Sequence, residues 1–279
     1  MNLSSHNNPP AWPPYQVRTH NQSTQSENKK HSDAVARDYG FKGGLVPGVT
    51  VFSHLTQPLA AHLGEEWLAR GTADVNFLKP AYEEELLTIQ SLQTKTEGGP
   101  PAYALTCCNE QQVELARMTA TLADVAPAPD PRGEIPPGAT PAERPMVTWD
   151  LMEIGKPFPS LRWQPTAAEN LQWCRDVRDD LPLYREGGAS LLHPGFILRQ
   201  ANNALRNRFT LPAWIHAGSR ITFHAPLRAG ALYEVRAIPE EKWIRKGHEF
   251  VRLYVAIRSD AATLVEVLHT AIFRPCKAA

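Results

Sequence analysis

Two Pro-Gly pairs and one short ionisable run are where this sequence could do chemistry. Pro47-Gly48 and Pro194-Gly195 each open an apolar stretch. The start of a helix presents N–H groups without intrahelical acceptors, at the positive end of the helix dipole. A glycine there leaves its N–H approachable, so negative charge developing on a carbonyl oxygen can be held. The ionisable run, Ser26 to Asp33, contains Glu27, Asn28, His31 and Asp33, and His31 lies 17 positions before Gly48. A histidine paired with a carboxylate suits proton transfer near neutral pH. The plain alternatives are a solvated histidine beside Lys29 and Lys30, a helix-start acid at Glu27, and a turn asparagine at Asn28. His193, just before the second Pro-Gly, is placed for contact with a small molecule. His193, His216 and His224 show no metal-ligand spacing, and His216 reads as a packed or hydrogen-bonded strand residue. Cys107 and Cys108 alternate across a strand, and Gly43-Gly44 lacks the Lys-Ser/Thr of a phosphate loop.

The elements that must position these residues come as a repeat. Val49, Phe52, Leu55, Leu59 and Leu63 recur at steps of three or four, as helical spacing requires, and Ile197, Leu198, Ala201, Ala204 and Leu205 form a similar stripe. From Gly48 to Pro80 is 32 positions, and from Gly195 to Pro226 is 31. Alternating strands then close each half: Ala102–Asn109 with Val113–Leu122, and Phe250–Arg258 with Thr263–Phe273. Between the halves, Ala126 to Pro145 carries seven prolines and cannot sustain a helix or interior strand. The expected organisation is a first unit over 1–125 with a flexible N-terminal tail, a linker over 126–145, and a second unit over 146–279. One apolar helix against antiparallel strands, given twice, is an α+β fold with one continuous sheet. Lys plus Arg and Asp plus Glu are both 29, which leaves no basic stripe for nucleic acid. No stretch reads as a membrane span or secretory signal, and the four cysteines show no disulfide framework. A reducing cytoplasm is expected.

The local sequences resemble the MaoC-like dehydratase/hydratase family in its tandem, double hotdog form. That family's signature runs G-D-x-N-P-x-H, then an acid, an Ala, Gly-Phe, and His-Gly at the start of the central helix. In the first half Asn28, His31, Asp33, Ala36, Gly40-Phe41 and Gly48 fall in register. Ser26 stands at the family's catalytic Asp, Glu27 follows it, Lys29 replaces the Pro, and Pro47 replaces the His before Gly48. In the second half Asp179, Pro182 and Tyr184 stand at the signature's Asp, Pro and His. The resemblance implies a double hotdog acting on an acyl-CoA or acyl-ACP thioester, hydrating a trans-2-enoyl chain or dehydrating a 3-hydroxyacyl one. It casts His31 as acid/base, Glu27 as the replacement carboxylate, and Asn28 as orienting water or His31. Gly48 would be the oxyanion donor, with Pro47, Val49, Asp33, His193 and Gly195 lining the substrate site. No cofactor or metal is expected, and a tandem chain implies a monomer or a homodimer. Two rivals share the fold: a thioester-binding protein without turnover, and a thioesterase.

Overall fold

A computed structural model describes residues 10–23, 28, 36–37, 39–94, 99–185, 190–260 and 262–276. In the first unit, β1 (Pro10–Arg18) precedes helix α1 (Gly48–Arg70), which runs into β2 (Gly71–Phe77). Three strands follow, β3 (Leu86–Thr94), β4 (Ala102–Asn109) and β5 (Glu114–Leu122). The second unit holds β6 (Leu161–Trp163), α2 (Ala167–Asp176), α3 (Pro194–Arg208), β7 (Ile215–Phe223), β8 (Tyr233–Arg245), β9 (His248–Ser259) and β10 (Ala262–Arg274). The strands form one antiparallel sheet, ordered β1-β3-β4-β5-β2-β7-β10-β9-β8-β6. The seam between units is β2 against β7, paired from Thr72↔Thr222 to Asn76↔Gly218. This is the double hotdog expected from the repeat.

The two central helices are handled differently. Most of α1 from Val49 to Ala60 is buried, on every face and not only on the Val49/Phe52/Leu55/Leu59 stripe. Its own sheet lies on one side and α3 on the other, so an apolar stripe alone would not satisfy it. The buried His54 Nε2 meets Thr19 Oγ1 at 3.1 Å, and burial, followed by the field of His193, pushes its pKa down to about 3. The α1/α3 crossing is tightest at Gly195, where a Cβ would stand 1.9 Å from Ser53 Oγ and 3.0 Å from the Val49 carbonyl oxygen.

The N-terminal tail is not wholly free of the fold. From Pro10 it is the edge strand β1, paired with β3 through two register shifts. Its prolines argue against a strand, but an edge strand tolerates residues that cannot donate on the solvent side. Trp12 anchors it, stacked 4.8 Å from both the His62 and Tyr103 rings. The Pro-rich linker crosses the outer face of β9. Glu134 pairs with Arg258, Asp130 N–H donates to Glu266, and Gly133 is buried against Tyr254 and Thr263. Among the described residues, no helix is long and apolar enough to cross a membrane.

Candidate active site

The two helix starts that look alike in sequence differ in their caps. At α3, Pro194 takes the first helical position, where its missing N–H costs nothing. The His193 side chain caps this helix: Nδ1 accepts the Gly195 N–H at 3.0 Å, and Nε2 faces Asp179 Oδ2 at 3.1 Å. Since Nδ1 accepts, the proton sits on Nε2 and donates to the carboxylate. His193 and Asp179 are both buried, and neither they nor Gly195 line the main cavity. The expected substrate-facing role of His193 and Gly195 therefore meets a closed site, with the Gly195 N–H already bound. Tyr184, at the family's histidine position, is fully buried with its ring 4.7 Å from that of His193.

At α1 the N-cap is Pro47, which makes no side-chain cap, and Val46 stands where His193 stands in the other half. Gly48 and Val49, the first two helical residues, thus keep N–H groups without an intrahelical acceptor. They open onto a cavity of about 580 Å³ between the units, within the usual range for a small-molecule site. Pro47, Phe41, Leu45, Phe77, Trp173, Trp214 and Ile215 supply apolar wall. Arg199 and Arg206, seven apart on α3, and Lys79 bring positive charge. Burial, then the nearby Arg206, holds the Arg199 pKa below its usual value, and Arg199 also lies over the Trp173 ring at 5.6 Å.

Of the residues expected to do chemistry, Asn28, Pro47, Gly48 and Val49 line this cavity together. His31, Glu27 and Asp33 lie outside the described residues. Asn28 clamps the backbone of Trp214: Nδ2 donates to its carbonyl at 3.0 Å, and its N–H donates to Oδ1 at 3.2 Å. Asn28 is thereby tied to the residue just before β7.

His216, read from the sequence as a packed or hydrogen-bonded strand residue, also lines the cavity. His216 is buried against Gly48, where an added Cβ would stand 3.1 Å from His216 Nδ1. A β-bulge puts it there. The β10/β7 register passes from Thr270↔Gly218 to Ala271↔His216, which leaves Ala217 as an extra residue. Without it, His216 and Ser219 would face opposite sides of the sheet. With it, both point inward, and His216 Nε2 lies 2.8 Å from Ser219 Oγ. Gly218 makes the bend possible, because a Cβ there would meet the Val75 carbonyl oxygen at 2.7 Å. Across the strand pair, Ser219 Oγ meets His269 Nδ1 at 3.0 Å.

No protein-family model matches this chain, and no curated protein matches it. Solved structures do resemble it. A candidate MaoC-domain dehydratase from Chloroflexus aurantiacus superposes with a TM-score of 0.63 at 15% identity, over 93% of both chains. A Mycobacterium tuberculosis protein described as a double hotdog gives 0.61 at 15%, over 92% of this chain and 93% of the other. A candidate oleoyl thioesterase from Lactobacillus plantarum gives 0.53 at 11%, over 94% and 96%. The chain therefore has the double hotdog fold that MaoC-like dehydratases and hotdog thioesterases share.

Proposed function

We propose that this protein is an acyl-thioester hydratase/dehydratase, acting on an acyl-CoA or acyl-ACP at the cavity beside Gly48. One observation carries the reading: the only central-helix start without a side-chain cap among the described residues faces a cavity of mixed apolar and polar wall that holds Arg199 and Arg206 beside Asp176. An acyl chain suits the apolar wall, and the phosphates of its carrier suit Arg199, Arg206 and Lys79. The thioester oxygen would lie at the Gly48 and Val49 N–H groups, where charge develops as water adds to C3. His31, with Glu27, would take the proton from that water and return one to C2. Asn28, which lies between them in the sequence, is held against the residue before β7, and Asp33 belongs to the same run of residues. In this reading the closed Asp179–His193–Gly195 arrangement gives the second unit a structural share. A reducing cytoplasm fits the cysteines, all free among the described residues, and a monomer or homodimer fits a chain that pairs its own two units.

The test is loss of enoyl absorbance over a panel of trans-2-enoyl-CoAs, with CoA release from saturated acyl-CoAs measured in parallel. Hydration without CoA release is expected. CoA release alone would make the protein a thioesterase, and binding without either reaction would make it a thioester-binding protein.

A further inference from the structure

We propose that His216 is an oxyanion donor of this cavity, its Nδ1–H aimed at the thioester oxygen beside the Gly48 N–H and oriented through Ser219 by His269. The proposal rests on the thioester reading above and adds a residue that the resemblance does not supply. The argument is a count of protons. Ser219 has one hydroxyl hydrogen and two imidazole neighbours, His216 Nε2 and His269 Nδ1, at 2.8 and 3.0 Å. With one hydrogen to give it can donate to only one of them, and if it accepts from the other, two arrangements follow.

If Ser219 donates to His269, then His269 carries its proton on Nε2 and His216 turns a bare Nδ1 toward the cavity. If Ser219 donates to His216, the order is reversed: His269 donates from Nδ1 and His216 carries Nδ1–H. His216 Nδ1 and His269 Nε2 are both buried without a well-formed hydrogen bond among the described residues, although the Gly218 backbone also interacts with the His216 ring, so each arrangement leaves one N–H poorly satisfied. A stranded buried N–H is costly, more so than a stranded lone pair. In the first arrangement it is sealed beside His269, which is 0% exposed. In the second it belongs to His216, whose ring forms part of the cavity wall and turns Nδ1 toward Gly48, so a ligand oxygen seated at the Gly48 N–H would be its nearest new acceptor. Only the second leaves the deficit to be met by substrate.

The neighbourhood keeps the donor neutral. Burial, then the adjacent His269, holds the His216 pKa well below the usual histidine range, against a smaller opposing pull from a hydrogen bond with the Gly218 backbone. A neutral imidazole can donate to a developing oxyanion without giving up its proton. No bond to the substrate is made or broken by His216. That work stays with the acid/base group, so this donor would serve hydration or hydrolysis alike.

The test uses histidine-¹⁵N-labelled full-length protein with butanoyl-CoA, and with S-butyl-CoA, which lacks the carbonyl oxygen. With butanoyl-CoA, His216 should show a protonated Nδ1 and a bare Nε2, its Nδ1–H shifted downfield relative to the S-butyl-CoA complex. A bare Nδ1 in the butanoyl-CoA complex, or identical signals with both ligands, overturns the proposal. His216→Gln should lower kcat for enoyl hydration roughly 10²–10³-fold, as expected for loss of one oxyanion donor, with KM changed far less. Ser219→Ala, which removes only the hydroxyl, should lower kcat in the same direction and let His216 Nδ1 lose its proton. Ser219→Thr should restore both. If wild type turns over nothing yet shows the butanoyl-specific Nδ1–H, the hydratase reading fails and the donor stands. If wild type hydrates and His216→Gln keeps its kcat in a folded protein, the donor fails and the reading stands. Failure of either CoA compound to bind overturns both.

Discussion

Alanine at Gly48 and alanine at Gly195 should have opposite consequences, although the two glycines open equivalent helices. At Gly195 the new Cβ would lie 1.9 Å from Ser53 Oγ and 3.2 Å from Ser53 Cβ. Rotating Ser53 away breaks its 2.9 Å bond to the Val49 carbonyl, and that carbonyl oxygen, only 3.0 Å from the Cβ, cannot rotate away. The helices must separate, which costs about 1–3 kcal/mol for an overpacked core. At about 2–4 °C per kcal/mol for a chain approaching this size, the melting temperature falls by several degrees. At Gly48 the Cβ would meet only side-chain atoms, His216 Nδ1 and Phe77 Cε2, both at 3.1 Å. A shift of a few tenths of an ångström relieves them, and the better helix propensity of alanine offsets about 0.5–1 kcal/mol. Stability should stay within about 1 kcal/mol of wild type. The same shift moves His216 and covers the Gly48 N–H, so enoyl hydration should fall roughly 10²–10³-fold. Urea denaturation and the enoyl absorbance assay, run on both variants, read the two effects separately. Adding Ser53→Ala to Gly195→Ala should recover only part of the lost stability, since the Val49 oxygen remains. A Gly195→Ala protein as stable as wild type, or a Gly48→Ala protein of full activity, would refute the account of these helix starts.

Acid should weaken the fold from an unusually high pH. His54 and His269 are held near a pKa of about 3 by burial, with His193 adding to it at His54, and His216 is held low by burial and His269. An unfolded histidine titrates near 6.5, so below that value the unfolded chain binds more protons. The stability is complete above about pH 6.5 and declines as pH falls toward the folded values. The slope is at most about 1.4 kcal/mol per pH unit for each histidine. Denaturation midpoints at pH 7.5, 6 and 5 should show the decline, with a shallower slope in His54→Gln; flat stability across that range would contradict it. Asn28→Ala leaves the buried Trp214 N–H and carbonyl without their side-chain partners, at a cost of about 1–3 kcal/mol. Calorimetry should detect the loss, and an unchanged transition would mean that water replaces the amide.

What the sequence by itself determined is what local pattern can carry. Helical spacing identified both central helices, alternation identified β4, β5, β9 and β10 to within a few residues, and the doubled Pro-Gly exposed the repeat. Buried faces write themselves into periodicity, because each side chain's exposure depends on its own place along the element. The N-terminal strand escaped notice because its prolines contradict a strand everywhere except at an edge, and only the assembled sheet makes β1 an edge. Of the candidate site residues, Gly48, Val49, Pro47 and Asn28 line one cavity. Which helix start is open was decided in part by tertiary structure, since the local cap of Gly195 by His193 is oriented by Asp179, 14 positions earlier in the chain. The His216–Ser219–His269 chain was not legible at all. His269 meets Ser219 across 50 residues, and His216 joins them only because one extra residue, Ala217, turns it inward. Strand side chains alternate, so a shift of one position moves a histidine from solvent to core. That shift is a property of the pairing between strands, which neither strand's sequence contains.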